Sequence, residues 1–171
     1  MKAATVLAVL ALAAAAQPAL AERKEATLEV ERSEDGEPVI VHEGKGSFYS
    51  DKFHGRKTAT GEKFDQNKPT AASKELPLGS KATVTNEETG KSTEVIVNDR
   101  GPYVPGRVID LSKKAARDIG LDKEDGLAPV RVEAKPSEQP TEEAKEKVEE
   151  KAEKVSAGAS GKGAQGSGSG R

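Results

Sequence analysis

The sequence predicts a small, mainly β barrel with one clear helix. Three observations predict it: many short runs rich in β-branched residues, Gly and Pro punctuation between them, and a single segment with helix start and stop signals. The chain has 171 residues, but only 34% are hydrophobic and 3% aromatic, so its whole length cannot be well packed. We therefore expect one folded domain, residues 44–135, with peripheral segments on both sides.

Alternation and turn signals define four strands in this domain. They are GKGSFYS at 44–50, KATVTN at 81–86, KSTEVIV at 91–97 and APVRVEA at 128–134. The stretch EETG lies between the second and the third, which predicts a hairpin. Residues 51–80 show no periodic element, and loops of that length in compact domains are usually functional or disordered. Apolar anchors such as Phe53 and Phe64 favour an ordered loop.

The one predicted helix has signals at both ends. Ser112 is a good N-cap, Lys113 to Ile119 form the helix, and Gly120 stops it. Ala115, Ala116 and Ile119 would supply its buried face.

The first 21 residues are predicted to be a secretory signal peptide. Lys2 gives a positive start, an apolar stretch too short to span a bilayer follows, and Ala19-Leu20-Ala21 fits a cleavage site. An uncleaved membrane anchor is the alternative. We expect an exported protein, periplasmic or extracellular and soluble after cleavage.

Two further segments flank the domain. Residues 22–43 form an acidic extension whose runs ATLEV and EPVIV surround a turn signal at Asp35-Gly36; they either add a hairpin or stay loose. Residues 136–171 are charged and then Gly/Ser-rich, which predicts a disordered tail. Its apolar residues make at best a thin helical stripe: Ala144, Val148, Ala152 and Val155.

Composition excludes several classes of protein. A net charge of −2 gives no support to binding of nucleic acid or of an anionic membrane surface. The lack of cysteine excludes disulfides, thiol catalysis, thiolate metal sites and a lipid-bearing cysteine. The two histidines, His42 and His54, show no ligand spacing, so we expect no metal site and no cofactor.

Asp99 is the main candidate for chemistry. It ends a buried strand and stands beside Arg100, Gly101 and Pro102. A carboxyl group there could have a tuned pKa and act as an acid or a base. It could equally accept backbone N–H bonds in a tight turn, and the residues alone leave both roles open. Arg100 could bind a carboxylate or sugar hydroxyls, or it could clamp a loop. Glu62 could serve a site or simply be solvated.

Other polar and aromatic side chains have weaker signals. His54 in FHG is expected to bond locally, and Asp110 before the helix is expected to bond the backbone. Tyr49, Phe53 and Tyr103 could offer faces for sugar stacking or pack on the domain.

Several long motifs resemble one family in order and content. GSFYSDKFHGRKTATGEKFD, TAASKELPLGSKATVTN, VNDRGPYVPGRVIDLSKKAARDIG and PVRVEA are similar to rare lipoprotein A-like proteins, which are septal-ring lytic transglycosylases akin to expansins and barwin. The resemblance covers about Gly44 to Glu133. It implies a six-stranded double-psi β-barrel with one or two short helices and a groove for a glycan strand.

The resemblance also implies a function. It implies an endolytic peptidoglycan lytic transglycosylase, a lyase that leaves 1,6-anhydro-muramic ends on glycan strands. Asp99 and Glu62 match the family's catalytic positions, and Ser73 stands where its TAAH motif has histidine. The candidate substrate-binding residues are Tyr49, Arg100, Tyr103 and His54. We expect a monomer without a lipid anchor, with cell-division proteins as candidate partners.

This chain departs from the family at several points. It has no cysteine where typical members have the lipoprotein cysteine, and its end is of low complexity where many members carry a glycan-binding domain. It has Phe48-Tyr49 for the usual Trp-Tyr pair. Ser73 cannot carry a positive charge as histidine can. The alternative function is therefore a catalytically weak, expansin-like module that binds cell-wall polysaccharide.

Overall fold

The structure, a computed structural model, describes residues 25–121 and 126–161. The signal peptide predicted over residues 1–21 lies outside these ranges, as does the Gly/Ser-rich end beyond residue 161. No helix within the described ranges is both long and apolar enough to cross a membrane.

Seven strands and two α-helices make up the described chain. The strands are β1 Thr27–Arg32, β2 Pro38–Phe48, β3 Thr70–Ala72, β4 Lys81–Asn86, β5 Ser92–Asp99, β6 Arg107–Leu111 and β7 Ala128–Ala134. The helices are α1 Lys113–Asp118 and α2 Glu142–Gly161, with 3₁₀ turns at Asp51–Phe53 and Pro136–Glu138.

Six of the strands close into a barrel. The sheet order is β1-β2-β6-β3-β5-β4-β7, and β2 also pairs with β7, which closes the ring. The β2–β6 and β3–β5 pairs are parallel, while the others are antiparallel. This mixed, closed arrangement confirms the predicted double-psi β-barrel. Its interior is filled by aliphatic side chains from all around the ring: Ile40, Val84, Val95, Val97, Ile109, Leu111, Val130 and Val132.

The acidic extension joins the barrel as a hairpin. β1 runs antiparallel to the first half of β2, from Thr27 opposite Glu43 to Arg32 opposite Pro38. The turn between them is closed by Ser33, whose hydroxyl accepts the Glu37 N–H at 3.1 Å. The structure thus decides between the two alternatives, and it corrects the domain boundary at residue 44, which falls inside β2.

Patterning located some elements and missed others. The β4–β5 hairpin and α1 are confirmed: the Ser112 hydroxyl accepts the Ala115 N–H, and Ala115 and Ala116 are buried. β3 and β6 were not predicted from alternation. Because β3 has three residues and all are buried, it offers no alternating pattern to detect.

The prediction of a disordered tail from residue 136 is wrong for residues 136–161. α2 packs on β1 and β2, and its stripe of Ala144, Val148 and Ala152 is buried. The stripe is thin, but its Val148 and Ala152 belong to the core cluster against which Leu28 and Val30 of β1 pack. Polar contacts add to this apolar surface, so the helix does not depend on the stripe alone.

Two such polar contacts fix the start of the C-terminal segment. The Gln139 side chain accepts the Lys81 N–H at 2.8 Å and donates to the Lys81 carbonyl at 3.0 Å. It therefore pairs with the edge of β4 as a strand residue would. The Ser137 hydroxyl donates to the Glu37 carboxylate at 2.8 Å, which ties this segment to the N-terminal hairpin.

Candidate active site

Asp99 ends β5 with its carboxylate held by three donors. Oδ1 accepts the backbone N–H of Ala59 and of Arg100, each at 2.9 Å. Oδ2 accepts the Tyr49 hydroxyl at 2.8 Å. The side chain is half-buried, so it is fixed in orientation but still accessible. A carboxylate offers about four lone-pair positions, which leaves Oδ2 able to accept a further hydrogen bond.

Tyr49 approaches Asp99 from the end of β2. Its ring contacts Phe64 at 4.5 Å and Phe53 at 5.4 Å between ring centroids. Burial, and then the hydrogen bond to Asp99, raise the pKa of the Tyr49 phenol far above its usual value. The hydroxyl therefore stays protonated and donates to Asp99 throughout the range in which proteins work.

The turn that carries Glu62 is bonded to the strand end. Thr58 donates its N–H to the Glu62 carbonyl at 2.8 Å, which closes the turn. Within that turn, Ala59 bonds the Asp99 carboxylate, and Thr60 donates to the Asn98 carbonyl at 3.1 Å. Glu62 itself is exposed. The fold thus attaches the Glu62 turn to the Asp99 strand end, although the two residues lie 37 positions apart in the sequence.

Ser73 reaches Asp99 through its backbone. Its N–H donates to the Asp99 carbonyl at 3.2 Å. The side chain is only 1% exposed, and the hydroxyl accepts the N–H groups of Glu75 and Leu76 at 3.3 and 3.1 Å. Serine here closes a tight turn, so its hydroxyl is directed to that turn and makes no bond to the carboxylate.

Arg100 acts as a clamp on the same turn. Its guanidinium donates to the carbonyls of Ser73 and Leu76 at 2.8 and 2.7 Å. Of the two roles considered for this residue, the structure shows the clamp, because these donors are directed inward to the loop. The role of Arg100 is thereby to hold the 73–76 turn beside the strand end.

The remaining candidates lie at different distances from this centre. His54 is exposed and bonds locally, accepting the Gln66 N–H on Nδ1 at 3.2 Å. Tyr103 is 75% exposed on the loop after β5. Asp110 pairs with Arg107 rather than with the backbone, which corrects the role expected for it.

Gln66 is a buried organiser of the site that the sequence did not reveal. Its Nε2 donates to the carbonyls of Tyr49 and Ser50 at 3.3 and 3.2 Å, and its Oε1 accepts the Lys113 N–H at 2.9 Å. It thereby joins the long loop, the end of β2 and the start of α1. A single glutamine in a loop has no periodic signal, so only the fold shows its role.

The arrangement suits proton transfer by one oriented carboxyl group. In residues 25–121 and 126–161, no group of three His, Cys, Asp or Glu side chains is placed to hold a metal ion. What the site offers is Asp99 with its donors, the nearby Glu62 turn, and aromatic rings at the rim.

These features define a double-psi β-barrel protein with an acidic site at the end of a barrel strand. The chain belongs to the lytic transglycolase family, whose model matches residues 41–132. β1 and α2 lie outside that match.

Similar proteins carry a more specific name. The endolytic peptidoglycan transglycosylase RlpA of Vibrio cholerae is 49% identical over 102 residues, which are 60% of this chain and 38% of that protein. RlpA of Pasteurella multocida is 53% identical over 93 residues, or 54% and 31% of the two chains. The chain therefore spans about a third of the length of these relatives, 38% and 31%.

A similar solved structure is the apo expansin of Clavibacter michiganensis. It is 22% identical, covers 54% of this chain and 48% of that chain, and has a TM-score of 0.42. This structural similarity is too low to support any inference about function.

Proposed function

We propose that this protein is an exported lytic transglycosylase that cleaves peptidoglycan glycan strands and leaves 1,6-anhydro-muramic ends. The observation that carries the proposal is the Asp99 carboxylate, half-buried at the end of β5 and oriented by three donors. Relatives named endolytic peptidoglycan transglycosylases support the substrate class. The signal-peptide pattern in residues 1–21 supports export.

One carboxyl group is sufficient for the proposed reaction. Asp99 in its acid form gives its proton to the glycosidic oxygen as the bond from that oxygen to C1 breaks. The carboxylate then takes the proton of the muramic 6-hydroxyl while O6 bonds to C1. The proton count is balanced, Asp99 returns to its starting form, and no water is consumed. Glu62, exposed on the adjoining turn, is placed to bind the sugar beside it.

Fixed orientation is what the protein adds to this chemistry. Because Oδ1 is occupied by two backbone N–H groups, Oδ2 is the oxygen left to exchange protons with the substrate. Tyr49 donates to that same oxygen and fixes its position. Positioning of a general acid or base typically contributes about 10²–10⁴ in rate.

A second candidate function is a catalytically weak module that binds cell-wall polysaccharide. The observation that favours it is Ser73: its buried hydroxyl accepts the Glu75 and Leu76 N–H groups, so position 73 offers Asp99 no imidazole. A carboxylate without that partner could bind sugar without cleaving it.

The test is cleavage of peptide-free glycan strands by the purified protein. Mass spectrometry should find anhydro-muramic ends with the wild type and none with Asp99→Asn. The amide oxygen that this variant carries in place of Oδ1 can still accept both backbone N–H groups, so the melting temperature should change by only a few degrees. If strands bind to the wild type but no anhydro ends form, the binding-module function is the correct one. Undiminished cleavage by Asp99→Asn would remove Asp99 from the mechanism.

A further inference from the structure

A second concave site lies on the side of the barrel that the N-terminal hairpin borders. It is an open cleft of about 340 Å³, lined by Ala26, Leu28 and His42 of the hairpin, by Lys74 and Glu75, and by the loop Tyr103–Arg107. Its volume is within the usual range for small-molecule sites, about 300–1,000 Å³. Ala26 and Leu28 precede the family match, so part of this cleft is built by a segment that the family model does not cover.

His42 is a buried polar group in the cleft wall. The residue is only 7% exposed, and the charged groups that act on its imidazole are Glu75, Lys151 and Lys74. Burial lowers the pKa of His42, although the nearby Glu75 carboxylate opposes this effect, so the ring is neutral at neutral pH. A neutral imidazole offers one donor and one acceptor, which is what a sugar hydroxyl can pair with. Because His42 lines the cleft, its imidazole can offer that donor or acceptor to a ligand.

The other walls suit a saccharide. Tyr103 and Val104 are 75% and 49% exposed, and they are the two most exposed large hydrophobic residues in the described chain. The face of an aromatic ring beside a few fixed polar groups is a surface on which the C–H groups of a pyranose can pack. Glu75 is fixed by Lys151 at 2.8 Å, so its carboxylate is an oriented acceptor for a hydroxyl or an amide N–H.

The charges favour a neutral ligand over an anion. Lys151 is paired with Glu75, and Arg107 is paired with Asp110. Lys74 is the remaining cation of the lining, and Glu75 stands beside it. A phosphate or carboxylate would meet the Glu75 carboxylate at this surface, whereas an N-acetylated sugar would bring hydroxyl and amide groups without charge.

Two chain segments link the cleft to the Asp99 site. Tyr103 is four positions after Asp99, on the loop that leaves β5. Glu75 belongs to the turn that Arg100 clamps and whose Ser73 N–H bonds the Asp99 carbonyl. A ligand that occupies both places would therefore extend from the scissile bond over the 101–106 loop.

We propose that this cleft is a second sugar-binding subsite, which takes an N-acetylated amino-sugar residue of the same glycan strand that reaches Asp99. His42 and Glu75 bond its hydroxyl and acetamido groups, and Tyr103 packs against its ring. This proposal rests on the proposed function, because that function identifies the ligand as a glycan strand. It makes binding dependent on strand length, because a short fragment at Asp99 does not reach the cleft.

The experiment is an NMR titration of the full chain with peptide-free glycan strands. The chain has only two histidines, so His42→Gln assigns the His42 ring signals at once. We expect those signals to shift saturably as strands are added. Tyr103→Ala should weaken binding by about tenfold or more, the scale of a lost aromatic contact of roughly 1.5 kcal/mol. Leu127→Ala is the matched control, since Leu127 is also an exposed large hydrophobic residue but does not line the cleft.

The outcomes separate this proposal from the proposed function. If strands bind and are cleaved while the His42 signals stay unmoved, the subsite is excluded and the enzyme remains. If His42 shifts and Tyr103→Ala weakens binding, but the wild type never cleaves, the subsite stands and the lytic activity fails. If no strand binds the wild type, the subsite is overturned. A loss of binding in Leu127→Ala equal to that in Tyr103→Ala would also overturn it.

Discussion

At the scale of single residues, each oxygen of Asp99 carries one of the two roles expected from the sequence, turn hydrogen bonding and acid–base chemistry. Oδ1 accepts the Ala59 and Arg100 N–H groups, which is turn chemistry. Oδ2 accepts only the Tyr49 hydroxyl among the described residues and retains a free lone pair. Because different oxygens carry the two roles, holding the turn does not compete with acid–base chemistry.

Tyr49→Phe tests whether the Tyr49 hydroxyl orients Oδ2 of Asp99 for acid–base chemistry. The ring contacts with Phe53 and Phe64 would remain, and only the hydrogen bond to Oδ2 would be lost. Positioning of a general acid or base typically contributes about 10²–10⁴ in rate, so we expect cleavage to fall by about tenfold or more. Loss of the hydrogen bond should also lower the melting temperature by several degrees. Thr89→Val is the control, since it removes a hydroxyl bond of 2.8 Å to the Ile119 carbonyl, away from Asp99. Equal cleavage by the wild type and Tyr49→Phe would show that this hydroxyl does not orient the carboxylate.

Ser73→Ala tests the turn that this serine closes. The substitution leaves the Glu75 and Leu76 N–H groups without their acceptor in a largely buried place. We expect the free energy of unfolding to fall by about 1–3 kcal/mol, measured by urea denaturation. Ser92→Ala, at an exposed position of β5, should change it by less than about 0.5 kcal/mol. If Ser73→Ala and Ser92→Ala are equally stable, the Ser73 hydroxyl contributes no net stabilisation.

At the scale of elements, the contacts of α2 are those of an integral part of the fold. Val148 is fully buried and belongs to the same core cluster as the barrel strands. On the side of α2 nearest the 73–76 turn, Lys151 holds Glu75. The helix thus stabilises β1 and also fixes one end of the turn that Arg100 clamps beside Asp99.

Val148→Asp is the sharpest test of that packing. It places an unpaired carboxylate in the buried stripe, so we expect the free energy of unfolding to fall by about 2 kcal/mol or more. Glu149→Asp, one position along on the exposed face, serves as the control and should have little effect. If Val148→Asp is as stable as the wild type, α2 does not pack on the barrel in solution.

The contrast between α1 and α2 shows what the sequence could and could not predict. Ser112 and Gly120 bracket α1 with local signals, so its bounds needed no tertiary information. α2 has strong charge and a stripe of small residues, and that composition is typical of disorder. Its stability depends on Leu28 and Val30, more than a hundred positions earlier, which no local pattern reveals.

The Asp99 site shows the same contrast between local sequence signals and long-range contacts. Its position at the end of a β-branched run beside Gly101 and Pro102 was readable from the sequence. Its donors Tyr49 and Ala59 lie 50 and 40 positions away along the chain, and only the folded barrel brings them to the carboxylate.

At the scale of the whole molecule, the two ends of the described chain form one unit around the barrel. Glu37 of the N-terminal turn accepts from Ser137, and Gln139 pairs with Lys81 at the edge of β4. β1 and α2 pack on each other, and both lie outside the family match of residues 41–132. The two additions therefore pack together on the barrel, where His42 of β2 is paired with Leu28 of β1 and is close enough to Lys151 of α2 to be affected by its charge.

This position of His42 predicts how the stability of the whole molecule depends on pH. The charged groups that face it are Glu75, Lys151 and Lys74, and burial is the largest cause that lowers its pKa below 6.5. As the pH falls through 6.5, the unfolded chain gains a proton that the folded chain does not, so stability is present above that pH and is lost below it. The Glu75 pKa is lowered mainly by its bond to Lys151, which adds a loss of the same sign below 4.5.

We therefore expect the wild-type free energy of unfolding to decrease between about pH 7.5 and about pH 5.5, in urea denaturation at constant ionic strength. His42→Gln should be nearly flat over the same interval, because the glutamine does not titrate. His54→Gln is the matched control: His54 is exposed, so this variant should keep the wild-type slope. Since Glu75 loses its contribution only at lower pH, both variants should lose stability together below about pH 4.5. The decrease in the free energy of unfolding over the higher pH interval could instead persist in His42→Gln and disappear in His54→Gln. The titrating group would then be the other histidine. Burial would then not be what lowers the pKa of His42 in the folded chain.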